Sequence, residues 1–122
     1  MPADKDHRMS IDAFLNKLNM KPETVTFDDT IAIIEKYYEF KETAFSNGET
    51  QNLAGENNGS CKIFAFGYLN NLNKDQTLHC FGNFYREDVL NNLNGDDHQN
   101  IRNFIKQGWQ GVNFDGNALI LK

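Results

Sequence analysis

Cys61 and His98 are the residues whose chemistry and placement first suggest a reaction. The apolar spacing puts Cys61 in the first turn of a predicted helix, where the dipole favours a thiolate, with Lys62 adjoining. His98 falls in the first turn of another predicted helix, with Asp97 beside it and Asn100 two residues on. A thiol, an imidazole base and an Asp or Asn that orients the imidazole form a nucleophilic centre in several unrelated folds. Cys61, His98, Asp97 and Asn100 are therefore the catalytic candidates for a cysteine-dependent hydrolase or acyl-transfer enzyme. The plainer reading makes Cys61 a small core residue, since free cysteines are among the most buried, and makes His98 part of a helix cap.

A second reading is binding, by a surface built from residues 55–61 and 97–109. Its residues are Asn57, Ser60, Lys62, Arg102 and Trp109. Glycines ahead of a helix can offer backbone N–H groups to an anion, and Lys62 follows here. A phosphate loop, however, places its lysine directly after the glycine and follows a strand, whereas Ser60 and Cys61 separate Gly59 from Lys62. A glycine-rich loop with Asn58 or Ser60 as helix cap is simpler. Trp109, between Gly108 and Gly111, is an anchor for a partner or cover for the core, and cover is the commoner fate of an aromatic. His7, His79 and His98 have no spacing that closes a metal site. The sequence calls for no metal and no cofactor.

Composition narrows the partners. The net charge of -5 is dispersed, and Lys and Arg occur singly with no basic run. Nucleic-acid backbones and anionic membrane surfaces are held by clustered cations, so neither is expected. No stretch approaches the ~18 apolar residues that span a bilayer. Residues 1–9 are polar and lack the apolar core of a signal peptide, which points to the cytoplasm, where Cys61 and Cys80 remain free thiols. The expected partner is a protein or a small ligand. The oligomeric state is not legible.

A chain of 122 residues with ten Phe suffices for one core. The expected fold is mainly α: one compact domain over residues 10–122, of about five helices with a short C-terminal β-like hairpin or strap, after a flexible segment 1–9. Ile11, Phe14, Leu15 and Leu18 share a helical face behind a Ser10 cap, and Pro22 ends it. Thr26 caps a second helix bearing Phe27, Ile31, Ile34 and Tyr38. Residues 39–59 lose all periodicity among Asn and Gly and read as a long loop, with room for a short helix, pinned by Phe40 and Phe45. Residues 63–69 could be a buried strand, but the period from Cys61 through Leu72 predicts a helix. Asn73 with Gln76 opens another, whose buried face is Leu78, Phe81, Tyr85 and Val89. Gly67 and Gly82 lower its and its neighbour's helical preference, and close backbone approach is the reason to keep them. Asp96 or Asp97 caps the fifth helix, and Gly108 stops it. Val112 and Phe114, the Asp115-Gly116 turn and residues 118–121 suggest the hairpin.

These segments resemble the HopJ (HopPmaJ) type III effector proteins. The likeness lies in Ala44-Phe45-x-Asn47-Gly48, in Asn52-x-Ala54-Gly55-x-Asn57-x-Gly59-Ser60-Cys61-Lys62, and in Thr77-Leu78-x-x-Phe81-Gly82-x-x-Tyr85-Arg86. It continues through Asp97-His98-x-Asn100-Ile101-Arg102-x-Phe104 and Gly108-Trp109-x-Gly111-x-x-Phe114-x-Gly116. The resemblance implies a bacterial protein that a type III system injects into a host cell, where a host protein would be its partner. It brings no catalytic residues with it. The short polar lead before the first helix is unlike the longer, Ser-rich leader of an injected protein, so a resident cytoplasmic role is the competing expectation.

Overall fold

The computed structural model describes residues 10–122, and the expected flexible segment 1–9 lies outside them. Helix α1 (Ile11–Met20) starts where the Ser10 side chain accepts from Ala13 N, and buries Phe14 and Leu18. Pro22 opens a single 3-10 turn, and α2 (Phe27–Tyr37) follows behind a reciprocal cap between Thr26 and Asp29. Asp29 also meets Lys17 at 3.2 Å, tying the two helices together.

Helix α3 (Asn58–Leu69) is the centre of the molecule. Ile63, Phe64, Ala65, Phe66 and Gly67 are all buried, so the helix is apolar on every side and wrapped by its neighbours. Phe64 alone packs its ring against Phe45, Phe81, Phe104 and Trp109. Gly67 lets this crowding happen: a Cβ there would lie 2.9 Å from Thr77 Oγ1 and 3.1 Å from the Trp109 ring.

The Asn73–Gln76 capping box begins α4 (Lys74–His79), as expected, but that helix is shorter than the spacing suggests. Gly82 adopts φ +62, and a Cβ on it would stand 2.6 Å from Phe27 N. The chain therefore turns at Gly82 to pass the start of α2, then resumes as a π-helical segment over Phe84–Val89. Leu78, Phe81, Tyr85 and Val89 are all buried, so the predicted face survives the break. Helix α5 (Gln99–Gln107) is capped by His98 at φ 51, not by Asp96 or Asp97, and ends at Gly108.

The strands depart most from expectation. Residues 39–59 hold no helix until Asn58; they supply most of β1 (Tyr38–Phe40), with β2 (Phe45–Asn47) and β3 (Thr50–Asn52). Nor do β4 (Val112–Phe114) and β5 (Leu119–Leu121) form a hairpin with each other. Strand β4 pairs with β2, and β5 pairs with β1. The body is thus mainly helical with a mixed α/β edge.

Both pairings share one register, with Tyr38 opposite Leu121 and Phe45 opposite Phe114. The bonds Lys41 N to Ala118 O and Asp115 N to Ala44 O carry that register across the gap. The two sheets are therefore one antiparallel ribbon with an interruption. At the break Lys41 and Glu42 both face solvent, which shifts the inward residues from Tyr38 and Phe40 to Phe45 and Asn47.

Candidate functional site

A cleft of about 370 Å³ opens where α3 and α5 begin. Asn57, Gly59 and Ser60 line it from α3, and His98, Gln99, Asn100 and Ile101 from α5. Phe27, Phe81 and Phe84 form its aromatic wall, and Thr50 of β3 closes one side. Phe84 is the hinge of that wall, edge-on to Phe27 at 5.1 Å and tilted over His98 at 5.3 Å.

Both helices start from a residue in left-handed conformation, Asn57 at φ 53 and His98 at φ 51. Neither residue caps its helix with its side chain. The first-turn N–H groups on this side are thus left unclaimed by a cap, and both helix dipoles present their positive ends to the cleft.

Behind the lining lies a cage of asparagines. Asn47, Asn52 and Asn100 are 0%, 2% and 6% exposed, so their amides depend on internal partners; among the described residues all find one except Asn47 Oδ1. Asn100 Nδ2 donates to Asn52 Oδ1 at 3.0 Å, and Asn52 Nδ2 donates to Asn100 Oδ1 and to Phe45 O. Asn57 Nδ2 donates to Asn52 Oδ1 at 2.7 Å, and Asn103 Nδ2 to Asn47 O and Thr50 Oγ1. The cage locks β2, β3 and the starts of α3 and α5 into one rigid floor.

Of the residues expected to act, Asn57, Ser60, His98 and Asn100 meet at this cleft. Cys61 does not: it is 1% exposed and its Sγ donates to Thr43 O at 3.6 Å. Burial pushes its thiol up to about 11, although a hydrogen bond with the Thr43 backbone lowers it somewhat. The helix start does not yield a thiolate there. His98 Nε2 instead meets Asp88 Oδ2 at 3.1 Å, with Asp97 Oδ2 at 3.8 Å. Asp97 is held chiefly by Arg102, whose Nη2 lies 2.6 Å from Asp97 Oδ1 and keeps that carboxyl below its ordinary range.

Arg102 is buried and its remaining donors go to Asn92 O, Leu93 O and Asp97 O, so it braces the turn before α5 rather than facing a ligand. Lys62 points elsewhere, to Glu35 at 3.5 Å and over the Phe40 ring at 4.9 Å. Trp109 Nε1 donates to Leu72 O at 2.9 Å, and the ring packs on Phe104 beside a different groove. Thr50, Phe84 and Asp88 were not legible as site residues, because no motif or spacing relates them to α5. Among the described residues, no three His, Cys, Asp or Glu gather to hold a metal ion. No helix among them is long and apolar enough to cross a membrane.

The cleft sets amides and hydroxyls beside aromatic faces. Comparison with known proteins agrees with the resemblance in sequence. The model of the HopJ type III effector protein family matches residues 11–119. A solved structure, described as the crystal structure of unknown function protein VPA0580, is similar to this chain with a TM-score of 0.92 and 56% identity. The similarity covers 94% of this chain and 96% of that one. None of the curated proteins matches. With the family model spanning nearly its whole length, the chain belongs to the HopJ type III effector family.

Proposed function

We propose that this protein acts by binding a small, planar, hydrogen-bonding molecule in the cleft between the starts of α3 and α5. The observation that carries the reading is the lining itself: aromatic faces from Phe27, Phe81 and Phe84 opposite Ser60, Thr50, Gln99 and Asn100. Binding sites are commonly concave and part-apolar, with a few fixed polar groups that set orientation. The asparagine cage supports the polar side, since groups held before binding lose little freedom on binding. The same reading has the protein delivered by a type III system, as the family description implies, and working in the recipient cell.

Titrating adenosine, nicotinamide and 4-hydroxybenzoate into the 15N-labelled chain tests the site. Saturable amide shifts at Ser60, Gln99 and Asn100 are expected for at least one probe. They should weaken by about tenfold, or ~1.4 kcal/mol, in Phe84→Ala. Shifts that fail to saturate with all three probes, or that map away from the cleft, refute the proposal. For delivery, the first ~20 residues fused to a reporter should be exported by a type III system; retention would place the work in the producing cell.

A further inference from the structure

The interrupted ribbon leaves one long edge open. Among the described residues, strands β4 and β5 each pair on one side only, with β2 and β1. In an antiparallel ladder, alternate residues turn N–H and C=O toward the partner strand, and those between turn them away. The bonds Asp115 N to Ala44 O and Gly48 N to Gly111 O set the phase of β4. Lys41 N to Ala118 O and Lys122 N to Tyr37 O set that of β5. Phe114, Leu119 and Leu121 therefore direct their main-chain groups outward, as does Val112, whose N–H is taken by Trp109 O.

That edge runs beside a second groove, of about 340 Å³, whose far wall is Tyr68 and Leu69 of α3 with Trp109. Among the described residues, no charged side chain lines it. Tyr68 is 67% exposed and Leu121 63%, and neither strand carries the charge or proline that ordinarily blocks an open edge.

We infer that this edge and groove dock an extended, uncharged polypeptide segment of another protein by strand addition. The outward N–H and C=O groups name the occupant, because an extended main chain supplies acceptors and donors alternating at strand spacing. The uncharged lining complements a segment without charges, since a charged side chain placed there would lose its water and gain no partner. Apolar side chains of the segment lie over Tyr68 and Trp109, whose rings pack edge to face at 6.1 Å. The surface is separate from the ligand cleft and does not depend on it.

The test is amide exchange on the full chain with an acetylated, amidated octapeptide of alternating Thr and Val, against one of alternating Thr and Lys. The Val peptide is expected to slow exchange by about tenfold or more at Phe114, Leu119 and Leu121, leaving Asn113 and Ile120 unchanged because they already bond inward. The Lys peptide should do neither. Leu121→Pro removes only an outward N–H, so the ladder should persist with an unchanged Tm while the peptide binds about tenfold less tightly. Binding without that alternating protection, or equal binding to Leu121→Pro, overturns the inference. So does protection that appears without peptide and rises with protein concentration, which would give the edge to a second copy of the chain.

Discussion

Asn47 grips Asn100 at two points, its Nδ2 donating to the Asn100 carbonyl at 2.8 Å and to Asn100 Oδ1 at 3.1 Å. Both residues are buried, so the pair fixes the start of α5 to β2 with no solvent to replace a lost bond. Asn100→Ala should destabilise the fold by about 2 kcal/mol, because it strips buried amides of partners. The urea midpoint should fall accordingly, and probe shifts at Gln99 should weaken with it. An unchanged midpoint would mean that water or neighbours satisfy the cage.

Cys61 should behave as a core thiol. With its ionisation moved up to about 11, the thiolate population at neutral pH is roughly two orders of magnitude below that of an ordinary cysteine. Iodoacetamide should therefore label native chain only as fast as local opening allows, and His98→Ala should leave that rate alone. Rapid labelling near pH 6 that vanishes in His98→Ala would restore the thiol–imidazole pair. Cys80, pushed up to about 12 by burial, should be slower still.

His79 should make the fold sensitive to mild acid. Burial pulls its imidazole below the ordinary value near 6.5, with Arg86 adding to the shift and Asp75 opposing it. Arg86 Nη1 lies 3.2 Å from His79 Nδ1, a contact that suits the neutral ring. The folded state therefore resists a proton that the unfolded chain accepts. Stability is complete above about pH 6.5 and declines as pH falls toward the folded pKa. His79→Gln should flatten the decline between pH 6.5 and 5; an unaltered slope would place the sensitivity elsewhere.

Gly82→Ala should cost about 2–4 kcal/mol, since the new Cβ meets Phe27 N at 2.6 Å and φ is +62. Thermal unfolding followed by circular dichroism checks this. Gly116→Ala is the control: its φ is not in the left-handed region, the nearest atom to a new Cβ is 4.0 Å away, and it should shift Tm little.

Three helix starts were legible because each rests on a side-chain cap, whereas α3 and α5 start from the left-handed backbone of Asn57 and His98, which no side-chain signal marks. Ser10, Thr26 and Asn73 cap as their side chains predict, and the unbroken period from Cys61 to Leu72 decides between strand and helix for residues 63–69. Of the strands, β4 and β5 were legible in place but not in pairing, and β1 to β3 were not, since each is three residues long and β3 is Thr-Gln-Asn, with no apolar alternation to read. They form because distant partners fit them, and partners across a fold leave no mark on local spacing. The site divides for a geometric reason. Ser60 and Cys61 are neighbours in sequence, but a helix rotates about 100° per residue, which sends Ser60 to the cleft and Cys61 to the core. Five of the 17 asparagines, Asn47, Asn52, Asn57, Asn100 and Asn103, are accounted for by the cage.

The single register that joins Tyr38 to Leu121 also sets when the molecule can be finished. A nascent chain carries α1, α2 and α3 into the open long before residues 112–121 leave the ribosome. Until then Tyr38 has no partner strand and Phe45 has only that of β3, and the packing of Phe64 against Phe104 and Trp109 stays incomplete. Closing contacts so far apart in sequence is slow compared with winding the helices. The ribbon is therefore the last seam sewn, after translation has delivered both of its sides.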